Sequence, residues 1–245
     1  ITEASTTGAV IIGCTPLGRL LARLFEAQGE SVVLIDTDAE ACQTAIAAGL
    51  TAIQTSALDS EALEKAGIGE MGAFMALTRN GEINLVLAQN TMSEFNPPRV
   101  CVVAPDNLPE NTSLLKNKGV RIFMDQQTFK TWNQYIKNDQ FKLGKTLFKE
   151  AGLALQQAHI KALIRSGELL PLILKRNGTL QLARTDSTNQ IGDEIFYLLH
   201  DPRSTLLKQL SGSRSLVPLN PEPLAEVEEV PLNPISPSLP LALEQ

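Results

Sequence analysis

The chain carries the run Val10-Ile11-Ile12-Gly13-Cys14-Thr15-Pro16-Leu17-Gly18-Arg19, followed by Val32-Val33-Leu34-Ile35-Asp36. It reads as strand, glycine turn, helix, strand and acidic residue, the order of a nucleotide-binding first crossover. A Val/Ile-rich run suits a strand buried on both faces. Gly13 makes the tight turn, Gly18 lets the next helix approach the sheet, and Pro16 fits a first helical turn, where a backbone N–H is unpaired anyway. Such a helix start aims free N–H groups at a phosphate. Asp36 lies 23 residues beyond Gly13, close to the spacing of about 20 for an acid that binds ribose hydroxyls. A carboxylate there disfavours a 2′-phosphate. Thr15 occupies the position where G-x-G-x-x-G has its second glycine. Its β-carbon hinders close pyrophosphate approach, whereas its hydroxyl offers a phosphate donor. A doubly wound domain without nucleotide therefore stays open as an alternative.

The same alternation continues along the chain. Strands are predicted at Ala9–Gly13, Ser31–Asp36, Thr51–Thr55, Ala73–Thr78, Arg99–Val103 and Val120–Phe123. Helices are predicted at Leu17–Gln28, Ala39–Ala48, Asp59–Ala66, Gly81–Ser93 and Pro109–Lys118. This pattern makes an α/β, Rossmann-like doubly wound parallel sheet over 1–124. Residues 125–140 contain a crossover helix with Phe129, Trp132, Tyr135 and Ile136 on one stripe. The stripe serves either core contact within the chain or a dimer interface. Over 141–205 a small α+β module is predicted from Lys161–Arg165, Leu169–Lys175, Leu180–Ala183 and Ile195–Leu199. Asn177-Gly178 marks a hairpin, and Gly192-Asp193 precedes the last strand. Residues 206–245 form a Pro-rich tail with Val-Pro-Leu-Asn-Pro at 217–221 and 230–234; it is expected to be extended and disordered.

Composition narrows the function. A formal net charge of −6 argues against a nucleic-acid partner, which needs a basic face. No apolar stretch approaches the ~20 residues that span a membrane, and no signal peptide is visible. A start at Ile1 is expected of a piece of a longer or processed chain. Cys14, Cys42 and Cys101 give no disulfide framework and suit a reducing compartment. Cysteines and histidines are too few and scattered for a metal site, and the acidic run of Glu222, Glu226, Glu228 and Glu229 reads as solvated. No Walker A motif is present, which argues against nucleotide hydrolysis.

Several stretches beyond the glycine turn carry a family resemblance. Asp59-Ser60-Glu61-Ala62-Leu63-Glu64-Lys65-Ala66-Gly67-Ile68 is similar to the helix after the third strand of the regulator of potassium conductance domain, also called the TrkA N-terminal domain. Ala76-Leu77-Thr78-Arg79-Asn80-Gly81-Glu82-Ile83-Asn84-Leu85 resembles that family's signature after the fourth strand. Residues 141–200 resemble the TrkA C-terminal domain, and the whole order resembles the cytoplasmic tail of a cyanobacterial-type cation:proton antiporter. The resemblance implies a regulatory sensor, not an enzyme, that binds AMP, ADP, ATP or NAD(H). It carries the phosphate turn onto Gly13, Cys14, Thr15, Pro16, Leu17 and Gly18, and the ribose contact onto Asp36 with Thr37. Ser56 and Ala57 match the end of the third strand, although the family has Gly-Asp where this chain has Thr55-Ser56. Thr78 and Asn84 match positions near the nucleotide. The implied partners are a second copy, forming a homodimer, and a membrane transporter unit N-terminal to this segment on the same polypeptide, with the soluble part on the cytoplasmic side. Two alternatives stay open: an NAD-dependent oxidoreductase, for which only His159 and His200 are available as bases, and a dimerising scaffold that has lost nucleotide binding.

Overall fold

The computed structural model describes residues 7–108, 119–183 and 188–202. Six parallel strands, β1 (Ala9–Ile12), β2 (Val32–Asp36), β3 (Ala52–Gln54), β4 (Ala73–Ala76), β5 (Arg99–Ala104) and β6 (Val120–Asp125), lie in the order β3-β2-β1-β4-β5-β6. The order reverses between β1 and β4, so a crevice opens at the carboxyl ends of these two strands. The expected α/β doubly wound sheet is therefore present. The helix expected at Pro109–Lys118 and the tail 206–245 lie outside the described residues.

Five of the described helices have a local reason for where they start. In α1 (Pro16–Ala27), Thr15 is the N-cap and proline opens the first turn. Asp38 caps α2 (Ala39–Ala47), Asp59 caps α3 (Ser60–Lys65), and Asn80 caps α4 (Gly81–Glu94), each accepting two backbone N–H groups. Asp125 caps α5 (Gln126–Lys137).

Alternate strand residues serve two cores. Ala9, Ile11, Leu34, Met75 and Val103 face α1, α2 and α5. Val10, Ile12, Phe74, Ala76 and Val102 face α3 and α4, with Leu63, Leu85 and Leu87 packed against them.

A second sheet is antiparallel, in the order β7-β10-β8-β9, from β7 (Phe141–Leu147), β8 (Leu169–Arg176), β9 (Thr179–Leu182) and β10 (Glu194–His200). The β8–β9 hairpin turns on Asn177 and Gly178 at φ +51° and +79°. Both positive angles define the tight turn expected of Asn-Gly. Helix α6 (Leu153–Arg165) covers one face of this sheet through Ile160; the predicted Lys161–Arg165 element is its last part. The opposite face presents Leu170, Leu172, Leu180, Phe196 and Leu198 to the first core, where Phe129 and Trp132 also lie. Phe129 and Trp132 of the aromatic stripe pack within the chain, and Tyr135 and Ile136 are partly buried against the same core.

Strand β7 lacked a clear sequence signal. Its middle residue is Gly144, where an added Cβ would sit 2.6 Å from the Tyr197 ring. The strand gives up a side chain to admit that ring, and with it the alternation that marks a strand.

Candidate nucleotide-binding cleft

The carboxyl ends of β1 to β4 border an open cleft of about 740 Å³. Gly13, Cys14, Thr15 and Pro16 form one wall, Asp36 and Thr37 a second, Ser56 and Ala57 a third, and Thr78 closes the fourth side. Nine of the residues singled out from sequence therefore meet around one space. Leu17, Gly18 and Asn84 do not line it.

Both turn glycines are demanded by the fold's own packing. At Gly13, φ is +115° and a Cβ would lie 2.5 Å from the Leu77 carbonyl oxygen; at Gly18, a Cβ would lie 2.3 Å from the Gly13 carbonyl oxygen. Thr15 has an extended backbone (φ −68°, ψ 164°) that needs no glycine, and its hydroxyl oxygen accepts the Gly18 N–H at 3.1 Å. The hydroxyl hydrogen still has the capacity to donate to a bound oxyanion.

The expectation that the α1 start offers free N–H groups needs correction. Pro16 has none. The Gly18 N–H is taken by Thr15, and the Leu17 N–H donates to Asn133 Oδ1 at 2.9 Å. The Cys14 N–H donates to Asp36 Oδ2 at 2.8 Å, and the Asp38 N–H to Asp36 Oδ1 at 3.0 Å. Asp36 keeps unused lone pairs, because an ionised carboxylate has about four acceptor sites. It therefore retains capacity for ribose hydroxyls.

Asn84 is wholly buried. Its Oδ1 accepts the Thr78 N–H at 3.1 Å and the Thr78 hydroxyl at 2.6 Å; its Nδ2 donates to the carbonyls of Thr78 at 3.1 Å and Val103 at 2.9 Å. It clamps the end of β4 to β5 and so sets the cleft wall at Thr78, without facing the cleft itself.

Beneath the turn, Cys14 Sγ and Cys42 Sγ are 3.8 Å apart, and both residues are buried. Burial, then the neighbouring Cys42, holds the Cys14 thiol well above its ordinary range; burial also raises Cys42. Both are neutral thiols near pH 7.

Sequence reasoning missed the charged rim. Arg19, Arg79 and Lys137 line the cleft together with Asp38 and Glu40. Arg19 Nη1 donates to the Cys14 carbonyl at 2.8 Å. Lys137 comes from the last turn of α5, a full domain away in sequence, and no local motif announces it. Neither histidine lines the cleft; His200 instead stacks on Tyr135 with ring centroids 3.8 Å apart. Among the described residues, no helix is long and apolar enough to cross a membrane.

A doubly wound sheet, a glycine turn at the first crossover and an acid at the end of β2 define a Rossmann-like domain of the nucleotide-binding type. Residues 9–124 match the family model of the TrkA-N domain. The Trk system potassium uptake protein TrkA of Streptomyces coelicolor is 29% identical over 112 residues, covering 45% of this chain and 49% of that protein. A TrkA homolog from Pyrococcus horikoshii is 29% identical over 145 residues, covering 57% and 58%. The chain thus spans about half the length of these curated relatives. Among solved structures, the TrkA-N domain of the inner membrane protein ybaL from Escherichia coli aligns with a TM-score of 0.44 and 14% identity, over 56% of this chain and 98% of that one. A GsuK channel bound to NAD aligns with a TM-score of 0.40 and 12% identity, over 85% and 39%.

Proposed function

We propose that this chain is a nucleotide-binding regulatory module of a monovalent-cation transport system, of the potassium-uptake or cation:proton-antiporter kind. The observation that carries this reading is Asp36, held at the end of β2 against the phosphate turn and lining the cleft, within the segment that matches the TrkA-N family model. The ligand is an adenine nucleotide, AMP, ADP, ATP or NAD(H), with ribose on Asp36 and phosphate between Thr15 and the cationic rim. Residues 1–124 bind it, 125–140 connect, and 141–205 form the second module. The transporter unit is the membrane partner, and a homodimer is the assembly that occupancy alters. Occupancy biases the transporter by as much as the ligand's affinity differs between two arrangements of the module.

The reading is non-enzymatic. A hydride-transfer enzyme needs a proton donor or acceptor beside the cofactor, and the two histidines lie elsewhere. One observation favours the scaffold alternative: the amides of Cys14, Leu17 and Gly18 are already engaged. Calorimetric titration of the chain with AMP, ADP, ATP, NAD and NADH decides between them. Saturable binding of one of these, weakened in Asp36→Asn, is the expected outcome. A flat titration with all five at millimolar concentration overturns the sensor reading in favour of the scaffold.

A further inference from the structure

Helix α5 carries two polar groups, four residues apart, toward the phosphate turn. Asn133 Oδ1 accepts the Leu17 N–H at 2.9 Å, and the Asn133 Nδ2 donates to the Phe129 carbonyl at 2.8 Å. One turn on, Lys137 lines the cleft. Residues four apart lie on one helical face, so both belong to the side of α5 that meets α1. The same helix also meets the second sheet: Tyr135 stacks on His200 of β10, and Trp132 shares a buried core with Leu172 and Phe196.

The Asn133 oxygen holds the place that an anion takes at a helix start. Pro16 has no N–H, and the Gly18 N–H is satisfied by Thr15 inside the turn. The Leu17 N–H is the donor of this first turn whose acceptor comes from another element. Leu17 is buried outside the cleft lining with its N–H held by Asn133, so a phosphate drawing on the α1 start has to displace Asn133 to reach that hydrogen, and it simultaneously attracts Lys137.

We infer that α5 reads the cleft: Lys137 is a phosphate-binding residue, and Asn133 is an internal competitor that the ligand's phosphate displaces from Leu17. This inference rests on the nucleotide reading above and specifies its regulation. Phosphate occupancy trades the Asn133–Leu17 bond for a Lys137–phosphate contact, which changes how α5 seats on α1. Because Tyr135 of α5 stacks on His200 of β10, the change is delivered to the second sheet. A phosphate-free nucleoside makes neither exchange.

The test is calorimetric titration of the chain with the five nucleotides and with adenosine, on the native sequence and on N133A, N133D and K137A. Amide exchange over α5 is followed with and without the nucleotide that binds. N133A removes the competitor and should tighten nucleotide binding about fivefold, the equilibrium factor of one net hydrogen bond. N133D keeps an acceptor for Leu17 but places a negative charge against the phosphate, and should weaken binding about tenfold, a factor that a favourable partly buried charge at a helix start reaches. K137A should weaken the phosphorylated ligands and leave adenosine unchanged. Nucleotide should speed amide exchange in α5 of the native chain and not in N133A.

A tighter N133A cannot arise from misfolding, and N133D guards against a purely structural role, because a structural cap is preserved in it. Nucleotide affinities indifferent to both positions overturn the role of α5 and leave the nucleotide site standing. Absence of nucleotide binding in the native chain and in N133A alike overturns both.

Discussion

The main-chain N–H of Cys14 donates to Asp36 Oδ2 at 2.8 Å, so the turn after β1 is fastened to the carboxyl end of β2. The other carboxylate oxygen accepts the Asp38 N–H at the start of α2. Asp36 is thus a structural strut as well as the candidate ribose ligand. Asp36→Ala strips acceptors from two amides and should cost about 1–3 kcal/mol of stability. Asp36→Asn keeps one oxygen acceptor, should cost less, and should still lose ribose affinity. Urea unfolding followed by the single tryptophan, Trp132, buried in the first core, reads the stability, and titration with nucleotide reads the binding. Equal destabilisation by both changes would contradict the strut.

Gly18→Ala places a methyl group 2.3 Å from the Gly13 carbonyl oxygen, backbone against side chain, with no flexible neighbour to yield. The helix must retreat from the turn, at about 2–3 kcal/mol. This loss is expected without any ligand present. A Gly18→Ala protein as stable as the native one in urea would show that the glycine serves a ligand and not the packing.

Asn84→Ala leaves the Thr78 N–H and the carbonyls of Thr78 and Val103 without their side-chain partner in a wholly buried place. The cost should be about 3 kcal/mol, because buried polar groups lose their bonds and a cavity opens. Any loss of nucleotide affinity should come through displacement of Thr78. The paired change Thr78→Ala should then add less than its own single effect on binding, which a double-mutant cycle measures.

Stability should fall on both sides of neutrality for identifiable reasons. Burial raises the Cys14 and Cys42 thiols above their ordinary value of 9.0. A raised acid contributes fully below that value, and its contribution is lost as pH climbs past it. Asp193 behaves oppositely. Burial alone would raise it, but Arg176 donates to Oδ1 at 2.8 Å and to Oδ2 at 2.6 Å, and the Gln190 N–H to Oδ2 at 2.7 Å, so its carboxyl lies below the ordinary 3.8. Its contribution is present above 3.8 and drains away as pH falls below. Urea midpoints across pH should form a plateau; Cys14→Ser with Cys42→Ser should flatten the alkaline side, and Asp193→Asn the acid side.

Most of the first sheet is legible in the sequence because each device is local. Val-Ile runs mark strands buried on both faces, and Asp38, Asp59 and Asn80 announce their helices within three residues. The turn, Asp36 and Thr78 are legible as one site because every βα junction of a parallel sheet delivers its residues to the same edge. The second sheet was only partly readable. Asn177-Gly178 needs no partner to form its turn, whereas Gly144 in β7 makes sense only against Tyr197, 53 residues away.

By itself, the sequence determined the order of strands and helices, the glycine turn and the acid beyond it, since these follow from local sterics and hydrophobic period. Tertiary structure alone decided that the Leu17 N–H is occupied by Asn133, that Lys137 joins the cleft, that Asn84 is a clamp and not a wall, and that Tyr135 of the aromatic stripe stacks on His200 of the second sheet. Each is a contact between elements distant in the chain. Its existence depends on how helices and sheets seat on one another, a matter of packing that no local pattern encodes.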